Sequence, residues 1–300
     1  MPHQKTAYII LGPTASGKSA LALKWADYFK TSIISADSRQ CFREMNIGVA
    51  KPSAGELAKV PHFFINHLSI TEEVNVRLFE ELAIAFAQKI FQQNDVIIIA
   101  GGTGLYIQAF CEGIDTMPDV DSAIRERLRN EFSEKGLYWL QQEVQKKDEA
   151  FWQRTDQKNP HRLLRALEIR ESTGKSILDF QQNQLIQRNF RIIKIGLEYP
   201  REILYERIDK RVDEMVRNGL LHEVESLYPF RRNSALQTVG YKELFAFMDG
   251  LYSFEEAISK IKQHTRNYAK RQITWFKKDK EIFWLKGNEP IAIQTLENLK

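Results

Sequence analysis

Gly12-Pro13-Thr14-Ala15-Ser16-Gly17-Lys18-Ser19 decides how this chain is read. The stretch follows the apolar run Ala7-Tyr8-Ile9-Ile10-Leu11 and opens into Ser19-Ala20-Leu21-Ala22-Leu23: a strand, a glycine-bounded loop, then a helix. The spacing is G-x-x-x-x-G-K-[ST]. In that loop the backbone amides converge on phosphate oxygens, and the helix behind them adds the positive end of its dipole. Gly12, Pro13, Thr14, Ala15, Ser16, Gly17, Lys18 and Ser19 are therefore expected to cradle a diphosphate or triphosphate. Lys18 meets the terminal phosphates and the Ser19 hydroxyl is placed to hold Mg²⁺.

Further apolar runs extend the pattern outward. Ser32–Ala36, His62–His67, Asp95–Ala100 and Arg191–Leu197 read as strands, and Ile282–Leu285 as a short last one. A helical pattern over Leu78–Gln92 lies between the early strands. Strand and helix in alternation predict an α/β protein, a P-loop-type parallel sheet flanked by helices, and unbroken apolar runs fit strands covered on both faces. Between Thr116 and Asn189 only amphipathic helices are predicted: Asp121–Ser133, Gly136–Lys146 and Pro160–Thr173. Residues 116–189 thus read as a helical insertion domain, and residues 1–115 with 190–300 as the P-loop core. The core ends in helices over Arg201–Leu227, Tyr241–Met248 and Phe254–Lys277.

Composition narrows the class. A 300-residue chain with net charge +4 permits a nucleic-acid partner without demanding one. Cys41 and Cys111 are the only cysteines and lack metal-site spacing. No apolar stretch approaches the length of a membrane span, so no membrane partner is expected. The first strand begins within a few residues of the N-terminus, which leaves no room for a signal peptide and makes the cytoplasm the expected compartment.

Asp37 ends the second strand, at the sheet edge where the phosphate loop also lies. A carboxylate there can take a proton from a nucleophile or coordinate Mg²⁺; capping the next segment is the plainer alternative. The fourth strand runs into Gly101-Gly102-Thr103-Gly104 instead of the Asp expected of an ATP hydrolase. Gly174-Lys175-Ser176 is a decoy, since Ile169 stands where a phosphate loop needs glycine. Arg207 and Arg211 share one helix face and offer a bidentate arginine for a diphosphate, or else surface pairs with Glu206 and Asp209. Two basic groups remain. One is Arg125, Arg127 and Arg129 with Arg162 and Arg165. The other is Lys260, Lys262, Arg266, Lys270, Arg271, Lys277 and Lys278, interleaved with His264, Tyr268, Trp275 and Phe276. Charge mixed with aromatic rings suits RNA, and it equally describes a solvated helix face.

Taken together with Asp37-Ser38-Arg39-Gln40, Ile47-Gly48-Val49-Ala50-Lys51-Pro52, Gly101–Tyr106, Asn159-Pro160-His161-Arg162, Arg165-Ala166-Leu167-Glu168 and Val239-Gly240-Tyr241-Lys242, the chain resembles the tRNA dimethylallyltransferase family along essentially its whole length. The resemblance implies transfer of a five-carbon group from dimethylallyl diphosphate to the exocyclic N6 of the adenosine 3′ of the anticodon. Asp37 would be the general base, Thr14–Ser19 would hold the diphosphate with Mg²⁺ as counter-ion, and Arg211 is placed on the leaving group. The catalytic set expected is Asp37, Lys18 and Arg211.

The tRNA anticodon stem-loop would touch Asp37, Ser38, Arg39, Gln40, Thr103, Arg125, His161, Arg162, Leu163, Leu164, Arg165, Gln237, Thr238, Val239, Gly240, Tyr241 and Lys242. A monomer is expected. The chain departs from the family pattern in carrying Val49 where a Thr is usual, Asn46 and Leu78 where Asp is common, and His62-Phe63-Phe64-Ile65-Asn66 after the third strand. Three other readings stay open from sequence: prenyl transfer to a free adenine nucleotide, a P-loop kinase, and an RNA-binding module that uses a nucleotide as a switch.

Overall fold

The computed structural model describes residues 4–182, 185–289 and 291. Its frame is one sheet built from β1 (Thr6–Leu11), β2 (Ile33–Ala36), β3 (His62–Phe63), β4 (Val96–Gly101), β5 (Arg191–Glu198) and β6 (Phe283–Lys286). The strands stand in the order β3-β2-β4-β1-β5-β6, and every pairing is parallel. Register brings the carboxyl ends level: Leu11 lies opposite Gly101 and Gly196, and Ala36 opposite Gly101. Ligands gather at this edge of a parallel sheet.

The helices are α1 (Lys18–Phe29), α2 (Ala54–Lys59), α3 (Val76–Ile90), α4 (Gly104–Glu112), α5 (Ser122–Lys147), α6 (Glu149–Trp152), α7 (Pro160–Thr173), α8 (Arg201–Arg217), α9 (Leu220–Leu227), α10 (Tyr241–Met248) and α11 (Phe254–Phe276). Alternation along each strand divides the core in two. Tyr8, Ile10, Ile33, Ile98, Ile193 and Ile195 pack with Leu21, Ala22 and Trp25 of α1. Ala7, Ile9, Leu11, Ile34, Ile97 and Ile99 pack on the other side with Phe79 and Ala83 of α3 and Phe110 of α4. Both faces are covered, which is why the strand sequences run apolar without a polar period.

The parallel α/β sheet matches the sequence reading, and several local features differ from it, the short α6 among them. The third strand stops at Phe63 because Phe64 and Asn66 turn to φ 61° and 54°, a left-handed conformation that ends strand pairing. The helix expected over Arg201–Leu227 breaks at Gly219, whose φ of 94° caps α9. In the insertion, the two helices expected on either side of residue 135 run together as α5, with Gly136 at φ 75° forming a kink. The unread α2 is started by a capping box between Ser53 and Glu56.

The chain divides into two compact units, Met1–Glu112 with Gln187–Lys300, and Gly113–Ile186. The second has its own core of Leu128, Leu140, Val144, Phe151, Leu163, Leu167 and Ile169. In the first unit, Arg188 bonds across the point of departure. Its guanidinium donates to the carbonyls of Ala109 and Phe110, both at 2.8 Å, and pairs with Glu80 at 2.7 Å. No helix among the described residues is long and apolar enough to cross a membrane.

Candidate active site

The loop between β1 and α1 is held in a shape that needs its glycines at two places. Gly17 sits at φ 82° as the cap of α1, where a side chain would be strained. A Cβ on Gly12 would come within 3.0 Å of the Leu197 carbonyl and the Ser16 hydroxyl. Ala15 also takes a positive φ, 62°. The Arg207 guanidinium secures its carbonyl at 2.8 Å and lies over the Tyr199 ring. Arg207 is thus a brace for the loop, and neither of the surface pairs expected from sequence describes it.

Lys18 donates to the Pro13 carbonyl at 3.1 Å. Burial pushes its ammonium down to about 8, the nearby Arg211 adds to this, and the Asp37 charge opposes it. The Ser16 hydroxyl is buried without a hydrogen-bond partner. Ser19 borders a polar cavity of about 170 Å³ with Ser35, Gln40, Lys51 and Arg211. No group of three or more acidic, His or Cys side chains among the described residues could hold a metal alone. A divalent ion here would be held by the Ser19 hydroxyl together with phosphate oxygens and water, which is how Mg²⁺ is commonly bound. The residues present fit that arrangement.

Asp37 follows β2. Its Oδ1 accepts from the amides of Arg39 at 2.9 Å and Gln40 at 3.3 Å. One oxygen thus holds the turn, as the capping reading expects, and the residue also borders the cavity. That cavity, about 210 Å³, is walled by Thr14, Asp37, Ser38 and Arg211 on its polar side, and by Val49, Ile208, Val212, Met215 and Val239 on its apolar side. Arg211 borders both cavities. Burial lowers its pKa and Asp37, beside it, works the other way. Thr103 ties the second and fourth strand ends together: its amide donates to the Ala36 carbonyl at 3.2 Å, and its hydroxyl accepts from the Ser38 amide at 3.1 Å. Gly101 lets these ends approach, since a Cβ there would lie 2.1 Å from the Ala36 carbonyl.

Two site residues were illegible as such in sequence. Gln272 of α11 is buried; its Oε1 accepts from the Thr14 amide at 2.8 Å and its Nε2 donates to the Gly102 carbonyl at 2.8 Å. One side chain thereby clasps the phosphate loop to the end of β4. Gly102 leaves it room, as a Cβ would fall 2.2 Å from Nε2. Gln272→Leu strands the half-buried Thr14 amide and the buried Gly102 carbonyl, and denaturant unfolding is expected to show a loss of about 1–3 kcal/mol. The other is Glu223 of α9. Its carboxylate accepts from the amides of Asn46, Ile47 and Gly48 at 3.0, 2.8 and 3.0 Å and from the Tyr241 hydroxyl at 2.7 Å. This latch shapes the loop that brings Val49 to the cavity wall.

The residues expected to meet RNA divide by burial. Ser38, Arg39, Thr238, Val239 and Gly240 line the cavity with Asp37. Gln40 instead braces the turn through Ser35 and the carbonyls of Val49 and Ala50. Gln237 and Lys242 are exposed. Tyr241 is fully buried and its hydroxyl is held by Glu223, so the expected RNA contact is corrected to a packing role. Leu163 is likewise corrected: it is fully buried in the core of the helical unit. Within that unit His161 and Arg162 are exposed and Leu164 is half-buried. Arg125 and Arg165 approach Glu168 at 3.9 and 3.5 Å. Along α11, Arg266 is bound by Asp209 and Lys262 by Asp213, which joins α11 to α8, and the half-buried Lys260 lies over the Tyr252 ring; the exposed basic set narrows to Lys270 and Arg271, with Lys277 and Lys278 just past the helix end.

Comparison with known proteins agrees with this geometry. Residues 40–279 match the family model described as IPP transferase. A tRNA dimethylallyltransferase of Christiangramia forsetii is 50% identical over 280 residues, covering 93% of each chain. A tRNA dimethylallyltransferase 1 of Phocaeicola vulgatus is 43% identical over 288 residues, 96% of each. The crystal structure of tRNA isopentenylpyrophosphate transferase from Bacillus halodurans superimposes with a TM-score of 0.71 at 32% identity, over 99% of this chain and 94% of that one. A eukaryotic dimethylallyltransferase caught acting on tRNA gives 0.75 at 26% identity, over 95% and 74%. The phosphate loop, the carboxylate facing it and matches of this length together place the chain in the tRNA dimethylallyltransferase family.

Proposed function

We propose that the chain transfers the dimethylallyl group of dimethylallyl diphosphate to N6 of the adenosine 3′ of the anticodon in tRNA. The observation that carries this reading is the single cavity with Asp37, Arg211 and the phosphate-loop residue Thr14 on its walls. Its apolar side, Val49, Ile208, Val212 and Met215, suits a five-carbon allyl group. N6 attacks the allylic carbon, the carbon–oxygen bond to diphosphate breaks, and the N6 proton passes to the Asp37 carboxylate. Lys18, Arg211 and the loop amides oppose the charge that grows on the departing diphosphate. Mg²⁺ on Ser19 would add a counter-charge to the same group. The adenine must leave its stack to arrive here, so the anticodon loop has to be gripped on both sides of it. The exposed cations of α11 are the surface we assign to that grip, and residues 113–186, a unit of their own, carry further tRNA contacts in the same reading. All the reacting side chains come from one chain, so a monomer suffices.

The test is incubation with an unmodified anticodon stem-loop, Mg²⁺ and labelled dimethylallyl diphosphate, beside a parallel reaction on AMP. Label on the stem-loop is expected. Label on AMP alone would select the free-nucleotide reaction instead. Removing both charges in Lys270→Gln/Arg271→Gln is expected to weaken stem-loop binding and reduce the slope of log K against log salt by between about one and two, as titration at several salt concentrations would show. An unchanged slope would move the RNA footprint off α11.

A further inference from the structure

Ile261, Thr265, Tyr268 and Gln272 recur at intervals of four, three and four residues along α11, so they share one helix face. The first three line the cavity that holds Asp37 and Arg211, and the fourth clasps the phosphate loop. Three of these roles are accounted for by packing or hydrogen bonding. Tyr268 is different. It keeps 36% of its surface exposed although it stands on this inward face. No aromatic ring among the described residues packs against it. Its hydroxyl faces Thr103, and the Arg271 guanidinium lies 5.7 Å from its ring centroid. Burial of the oxygen and the charge of Asp37 push the phenol up to about 12, so it stays neutral at working pH.

A large, neutral, partly exposed ring near Asp37, with a guanidinium over one face and the other face for a base to meet, is what a nucleobase lifted from its stack would need on arrival. Stacking on an aromatic face replaces the neighbouring bases it has lost. We propose that Tyr268 is the stacking platform for the target adenine, a substrate-contacting residue that orients N6 toward Asp37. The inference rests on the prenyl-transfer reading above and adds to it the residue that receives the base.

The two claims separate in one experiment. Wild type, Tyr268→Phe and Tyr268→Ala are assayed on the anticodon stem-loop with dimethylallyl diphosphate. In parallel, each is titrated with a stem-loop carrying 2-aminopurine at the target position, which lacks N6, cannot react, and fluoresces brightly when unstacked. Wild type and Tyr268→Phe are expected to agree within about twofold in rate and to quench the bound probe alike. Tyr268→Ala is expected to raise KM for the stem-loop about tenfold, leave KM for dimethylallyl diphosphate unchanged, and leave the bound probe bright. A Tyr268→Ala enzyme with an unchanged KM and an equally quenched probe would overturn the platform. Equal losses in Tyr268→Phe and Tyr268→Ala would also overturn it, and would shift the role to the hydroxyl that faces Thr103. No product from wild type would instead refute the prenyl-transfer reading, whatever the probe shows.

Discussion

Asp37→Asn is expected to slow prenyl transfer by roughly 10²–10⁴-fold while the stem-loop still binds. The adenine amine is a weak nucleophile because its lone pair is drawn into the ring, so the reaction needs a group that takes the N6 proton as the carbon–nitrogen bond forms. Asn is the informative replacement here. Its side-chain oxygen can still accept from the amides of Arg39 and Gln40, the two bonds that shape the turn after β2. The cavity wall is thereby kept and only the basicity is removed. Asp37→Ala removes both, so a further loss in Ala over Asn measures the turn. Single-turnover quench-flow with saturating tRNA isolates the chemical step. A rate within a few-fold of wild type for Asp37→Asn would take the general base away from this residue.

Lys18→Met is expected to lower transfer by roughly 10²–10³-fold and, in the same protein, to raise the melting temperature without substrate. The second effect follows from the first residue's environment. Burial and the neighbouring Arg211 hold the Lys18 ammonium near 8, below its value in the unfolded chain. Between about 8 and the unfolded value the folded state therefore binds fewer protons than the unfolded one, and stability rises with pH through that window. Below about 8 the full cost of keeping a charged lysine there is present, and methionine removes it. Diphosphate restores a partner for that charge, so activity obeys the opposite sign. In wild type, kcat/KM for dimethylallyl diphosphate is expected to be flat well below pH 8, to be halved near pH 8 and to keep falling above it as Lys18 deprotonates. In Lys18→Met that alkaline limb disappears. Calorimetry without substrate and a pH-rate profile check the two halves separately.

Much of this frame was written locally in the chain. The phosphate loop is eight adjacent residues between a strand and a helix, so short-range pattern suffices to place it, and the continuous apolar runs fix a sheet buried on both faces. Asp37 was legible because strand ends in a parallel sheet converge. Gln272 and Glu223 were not. Each acts on backbone atoms more than 150 residues away, and nothing beside either in sequence distinguishes it from a solvated helix position. The same distance hid the limits of the RNA set. Tyr241 and Leu163 sit among polar and basic neighbours in the chain, and only packing reveals that both point inward. Arg207 fell between these cases: its helix face was read correctly, and its partner, the Ala15 carbonyl, is a loop atom that periodicity does not see.

Arg188 has a bearing on modularity. By fastening the returning strand segment to the last turn of α4 and to Glu80, it hems the nucleotide-type scaffold at the seam where residues 113–186 are threaded out and back. The ends of that excursion are fixed by the scaffold itself. A graft in that position therefore adds loop-closure entropy that grows only slowly with its length. A bridge of a few glycines in place of residues 113–186 is therefore expected to leave a scaffold that still folds, which a cooperative thermal melt would check.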